Sequence, residues 1–215
     1  LQIPNNTSAT FTGTLTNGGV VNLLSAGNFT DFLVGTGGVT LVGGVVDLGG
    51  NVNNRIYSPS GTTTLINQSA LIRGAGQIGV GLTRIDNRAV IDANLAGATL
   101  TLDPNASGAV NTGLLTSSNG GLLRIRGGTY DNTGGSLIAG TGSRVDLASA
   151  AITGGFIGGS TIRNAVSSSL SALNIGTGAS VEILNNTQLT LTGAIGNFGT
   201  IRLQSAGNFT DLFIG

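Results

Sequence analysis

An all-β chain wound as a parallel β-helix (β-solenoid) is the fold this sequence predicts, and three observations predict it. The first is a long repeat. Residues 181–215 match residues 1–35 at 18 of 35 positions, and Ser25-Ala26-Gly27-Asn28-Phe29-Thr30-Asp31 recurs letter for letter as Ser205-Ala206-Gly207-Asn208-Phe209-Thr210-Asp211. The second is a short repeat, an apolar–outward–apolar tripeptide that occurs ten times. The third is alternation of period two over short runs bounded by Gly, Asn and Ser, with no helical periodicity. Gly supplies 38 of the 215 residues, and each would weaken a helix interior by up to about 1 kcal/mol relative to Ala.

Taken in order, residues 8–16 alternate cleanly as SATFTGTLT and open the pattern. The tripeptides follow as Val21-Asn22-Leu23, Val39-Thr40-Leu41, Thr64-Leu65-Ile66, Thr83-Arg84-Ile85 and Leu100-Thr101-Leu102. They continue as Leu123-Arg124-Ile125, Val145-Asp146-Leu147, Ile162-Arg163-Asn164, Val181-Glu182-Ile183 and Ile201-Arg202-Leu203. Their spacing divides residues 1–180, one complete long repeat, into nine coils of about 20 residues, with 181–215 opening the next repeat. The whole of 1–215 therefore reads as one continuous solenoid segment, and the array is the unit of fold and function. Nine coils stacked at the inter-strand spacing would rise about 43 Å.

The flanking tripeptide positions are expected to face inward; 17 of the 20 are Val, Leu or Ile, the exceptions being Thr64, Thr83 and Asn164. Asn164 is either a truly internal Asn or a sign that the register is misplaced. The middle positions are expected to face outward. From the sixth coil they read Arg124, Asp146, Arg163, Glu182 and Arg202, alternating in sign and predicting an outward ladder of cross-coil ion pairs whose main effect is to fix register. The competing reading is chance alternation among nine basic and nine acidic residues. Asn pairs and Asn-Gly dipeptides suit tight corners, and Asn side chains can stack into hydrogen-bonded ladders between coils.

Composition narrows the function. Charged residues are 8% of the chain and balance to zero, which provides no basic footprint for nucleic acid and no polybasic segment for a membrane surface. Without Lys, His, Cys or Met, catalytic triads, thiol nucleophiles, Schiff bases and His- or thiolate-ligated metals are all excluded. Only Asp86 with Asp103 suggests a carboxylate pair brought together by stacking, the arrangement a polysaccharide-cleaving β-helix would need. No cofactor or metal is expected.

Segments such as Gly121-Leu122-Leu123-Arg124-Ile125-Arg126-Gly127-Gly128-Thr129-Tyr130-Asp131-Asn132-Thr133-Gly134-Gly135 and Ala151-Ile152-Thr153-Gly154-Gly155 resemble the repeats of giant bacterial surface proteins, the filamentous-haemagglutinin-type adhesins and autotransporter passengers. The resemblance is one of style across the whole chain. It implies a secreted or cell-surface β-helix serving as a filament, stalk or adhesin rod, without catalysis, self-associated or present as tandem copies in one giant chain. The alternatives are a glycan-binding module on the solenoid's side face, for which Tyr57 and Tyr130 are the available tyrosines, and, behind it, the polysaccharide-active enzyme.

Overall fold

The computed structural model describes residues 1–215 as a parallel β-solenoid of about ten turns, about 22 residues per turn, with no helix. All 26 strands join one sheet system, and every strand pairing is parallel. A turn has three faces. In a central one, Val90–Ala93 forms the first face, Thr99–Leu102 the second and Ala109–Asn111 the third. The chain then returns as Leu114–Ser117, hydrogen-bonded beside Val90–Ala93. Some strands bend across a corner without a break: Thr30–Val42 covers the second and third faces, and Ser136–Ala148 the first and second.

Short strands succeed here because each residue faces the same neighbour type above and below. On the first face, Val21, Val46, Ile72, Ile91, Leu115, Leu137, Ile157 and Ile175 form one inward column. Every one of them is buried, within a single core cluster of 40 residues. Close stacking also explains particular glycines. Gly38 has φ +85°, and a Cβ there would lie 2.6 Å from the Thr64 carbonyl oxygen of the next turn. Gly74, with φ +113°, would meet the Gly49 carbonyl at 2.8 Å. These positions need the absent side chain as well as the left-handed backbone.

The tripeptides do not all lie on one face. Val21–Leu23 is on the first face, the next three are on the third, and the remaining six are on the second. Two of the nine steps between them therefore advance two faces rather than three, so nine coils of 20 residues overcounts the turns. The repeat at 181–215 lies eight turns and one face beyond 1–35: Val20–Leu24 runs along the first face and its counterpart Thr200–Gln204 along the second. Local structure is preserved through that rotation. Asn5 Oδ1 accepts the Ala26 and Asn28 N–H groups at 2.7 and 3.2 Å, and Asn185 Oδ1 accepts those of Ala206 and Asn208 at the same distances.

Register also settles the exceptions. At 64–66 the inward residue is Leu65, with Thr64 and Ile66 facing out, because Leu65 pairs with Val39 and Ile85. Thr83 is inward and fully buried, as expected. Asn164 is a truly internal Asn, in register with Leu147 and Ile183. Its amide donates to Thr187 Oγ1 and the Gln188 carbonyl, both at 3.0 Å.

At the corner from the third face to the first, four buried asparagines stack directly: Asn67, Asn87, Asn111 and Asn132. Each Nδ2 donates to the next Oδ1, at 2.8, 2.7 and 2.6 Å in turn. The run is closed at both ends. Asn67 Oδ1 accepts the Ala70 N–H at 3.1 Å, and Asn132 Nδ2 donates to the Gly154 carbonyl at 3.2 Å. Spare amide protons go to corner carbonyls such as Leu114 and Ser136. A polar group is thus stabilised inside the rod by an identical group in each neighbouring turn.

Asn87→Ala should interrupt this run and leave a donor on Asn67 and an acceptor on Asn111 buried without partners. The expected loss is about 2–4 kcal/mol, measured by chemical denaturation, whereas alanine at a surface Asn such as Asn208 should change stability by less than about 0.5 kcal/mol.

Candidate functional site

The second face carries the residues the sequence singles out. Its outward column reads Asp31, Arg55, Gln77, Thr101, Arg124, Asp146, Arg163, Glu182 and Arg202, each hydrogen-bonded neighbour directly above the last. The five expected ladder residues are thus consecutive in one column. Their ion pairing is local rather than continuous. Arg163 Nε reaches Glu182 Oε2 at 3.2 Å across turns. Asp146, only 5% exposed, is held by Arg144 of its own strand, Nε to Oδ1 at 2.8 Å. Arg124 and Arg202 make no ion pair. The reason lies in the strand's period of two: Arg144 and Asp146 emerge on the same side, so the shorter in-strand approach displaces the cross-turn one.

The most developed ion pair lies lower in the column, where sequence reasoning did not place one. Arg55 donates twice to Asp31, Nε to Oδ1 and Nη2 to Oδ2, both at 2.8 Å. Its guanidinium lies 3.7 Å from the Phe29 ring centroid and 4.8 Å from that of Tyr57. The hydrogen bonds to Asp31 raise the Arg55 pKa, against the opposing effect of burial. The available signal was Asp31 and Arg55 one turn apart, each beside an aromatic residue; Gln77 and Thr101 then break the alternation of sign. A second cross-turn pair, Arg73 with Asp47 at 2.8 Å, occupies the first face.

The remaining acids are dispersed. Asp86 sits on the third face against Arg88 at 2.6 Å, while Asp103 follows the second-face strand Thr99–Leu102 and has Arg126 at 3.7 Å. The two carboxylates are committed to different cations in different places. No group of three His, Cys, Asp or Glu side chains is gathered to hold a metal. Burial raises the carboxyls of Asp92 and Asp103, while the Thr133 hydrogen bonds lower that of Asp131. Tyr130 is an inward, third-face residue, 3% exposed. Its hydroxyl donates into the space between the Leu102 and Arg126 carbonyls, 2.9 and 2.8 Å away. It is part of the core and offers nothing to a ligand, which leaves Tyr57 as the one tyrosine at the surface.

Two outcomes are expected from these environments. Arg55→Ala should cost about 2–3 kcal/mol, because it strands the Asp31 carboxylate, while Arg124→Ala should stay within about 0.5 kcal/mol; thermal and urea unfolding compare them directly. Asp92 has its folded pKa raised chiefly by burial, so its contribution to stability is fully present below the unfolded value of 3.8 and is lost as pH rises through the folded value. Asp92→Asn should therefore raise the melting temperature near pH 7 and make no difference below about pH 3. A lower melting temperature at neutral pH would contradict this.

Comparison of the chain with protein-family models, with curated proteins and with solved structures found no match in any of the three. Geometry alone carries the functional reading.

Proposed function

We propose that the chain is the structural shaft of an extracellular filament, stalk or adhesin rod and performs no catalysis. The single observation that supports this reading is the unbroken inward column on all three faces: about ten turns share one core, with nothing inserted between them. Hydrogen bonds between turns run along the axis, so extension loads many of them together, and stability grows by adding like units to like. Ion pairs and the Asn run resist slippage between turns, which is what a load-bearing rod needs from its polar residues. The resemblance in style to giant surface adhesins supports a position outside the cell, either as tandem copies in one chain or as self-associated filaments.

The rotation between repeats makes this reading specific. Each further copy would begin one face on, so the exposed Phe29 loop and its counterpart at Phe209 would wind about the shaft and return to the same side after three repeats. At roughly 4.8 Å per turn, one repeat rises about 40 Å and three rise about 120 Å. These values replace the 43 Å expected from nine coils. Cryo-electron microscopy of the native material should show straight rods with an axial spacing near 4.8 Å and a superperiod near 120 Å. Compact particles without axial order would overturn the proposal.

A further inference from the structure

The corner between the second and third faces is not uniform along the rod. Six residues, 103–108, separate the strands there in one turn, and three, 185–187, do so four turns later. Between them the corner shrinks to two residues at 127–128, two at 149–150 and one at 167. Short corners flanked by longer ones leave a recess in the side of the rod. It contains two adjoining concavities, of about 400 and about 320 Å³, continuous through the bonded pairs Ala148-Ser149 and Val166-Ser167. From Gln77 at one end to Gln188 at the other it crosses five turn-to-turn steps, roughly 24 Å along the axis.

The chemistry of the recess is graded. At one end stand Arg124 and Arg126, with Thr101 beside them. Arg124 makes no ion pair, since the neighbouring Asp146 is taken by Arg144. Arg126 has a side chain 63% exposed and meets Asp103 only at 3.7 Å. At the other end are Ser149, Ser169, Gln188 and Thr190. Ser168 Oγ is spent on the local backbone, accepting from Ala150 N–H and donating to the Val166 carbonyl. Ser167 Oγ accepts the Gln188 N–H. Those two hydroxyls hold the shape of the notch, while the other polar side chains stand at its surface.

We infer that this recess binds an acidic oligosaccharide lengthwise, with a carboxylate on Arg124 and Arg126 and sugar hydroxyls on Ser149, Ser169, Gln188 and Thr190. Four features select the class. The recess is long and shallow, so it suits an extended chain rather than a compact ligand. Its free groups each donate and accept, as sugar hydroxyls require. Its two cations are too few, and its lining too poor in aromatic faces, for a nucleic acid strand. The carboxylate complements the one ion-pair-free Arg within the recess, which can donate bidentately. The site is independent of the shaft role, because a rod that binds nothing remains a rod.

The test is titration calorimetry on the whole 215-residue chain with two probes, a short oligogalacturonate and its methyl-esterified counterpart. The acid form should bind, and the ester at least tenfold more weakly. Arg124→Gln should weaken the acid form at least tenfold and remove its salt dependence, with the melting temperature unchanged. Arg202→Gln, an ion-pair-free Arg in the same column at the far end of the rod, should leave binding intact. Thr190→Val should weaken both probes alike. No binding of the acid form at millimolar concentration, equal binding of acid and ester, or equal binding by Arg124→Gln would each overturn the assignment.

Discussion

Everything in this structure depends on one constraint: a residue must be compatible with the residue in the same place one turn above and one turn below. Three-residue strands cannot bury enough apolar surface alone. Stacked in register they need no long strands, because Val46 lies between Val21 and Ile72, and Ile91 between Ile72 and Leu115. The same rule admits polar groups inside. Asn67, Asn87, Asn111 and Asn132 are as dry as the leucines around them and are satisfied mainly by one another. Asn164, alone between Leu147 and Ile183, has a buried Oδ1 with no hydrogen-bond partner. Repetition makes the difference between a stabilising polar core position and a costly one.

On the outside the rule acts more weakly, because water screens the charges and side chains have other partners to choose. Register aligns Arg124, Asp146, Arg163, Glu182 and Arg202, yet one of their four potential contacts, Arg163 with Glu182, closes as an ion pair. Where two aromatic rings shield the pair, as at Arg55 and Asp31, geometry becomes bidentate and the side chains are 16% and 13% exposed. Shielding raises both the gain from the contact and the cost of breaking it. The outward column therefore grades from a fixed structural clamp at its base to an ion-pair-free Arg124 beside the recess.

How much of this was legible in the sequence follows from the same distinction. The fold class could be read from the tripeptides, since period-two strands at nearly constant spacing leave few architectures open. The number of turns could not, because Val21-Asn22-Leu23 and Val39-Thr40-Leu41 look alike while lying on different faces. Nothing in a tripeptide marks which of three equivalent sheets it belongs to. The one-residue slip at Thr64-Leu65-Ile66 has a similar origin: Leu65 and Ile66 are both apolar, and the partners Val39 and Ile85 decide which turns inward. The Asn run was foreseeable as a type of contact but not by position, for its members are 20, 24 and 21 residues apart and sit among many corner asparagines. The side recess was not visible at all. It arises from differences in corner length, which appear only when strand ends are placed.

Because the rod, its internal Asn run and its outward columns all derive from register, register is the quantity to measure. The chain has no Cys, so pairs of introduced cysteines report on it without background. Thr40 and Ile66 are direct outward neighbours on the third face, whereas Leu65 points into the core. Neighbouring strands put paired Cα atoms about 4.8 Å apart, within the reach of a disulfide. Under mild oxidation Thr40→Cys with Ile66→Cys should crosslink rapidly and nearly completely, and Thr40→Cys with Leu65→Cys should not. The reverse result would place the turns in a different register and contradict the account.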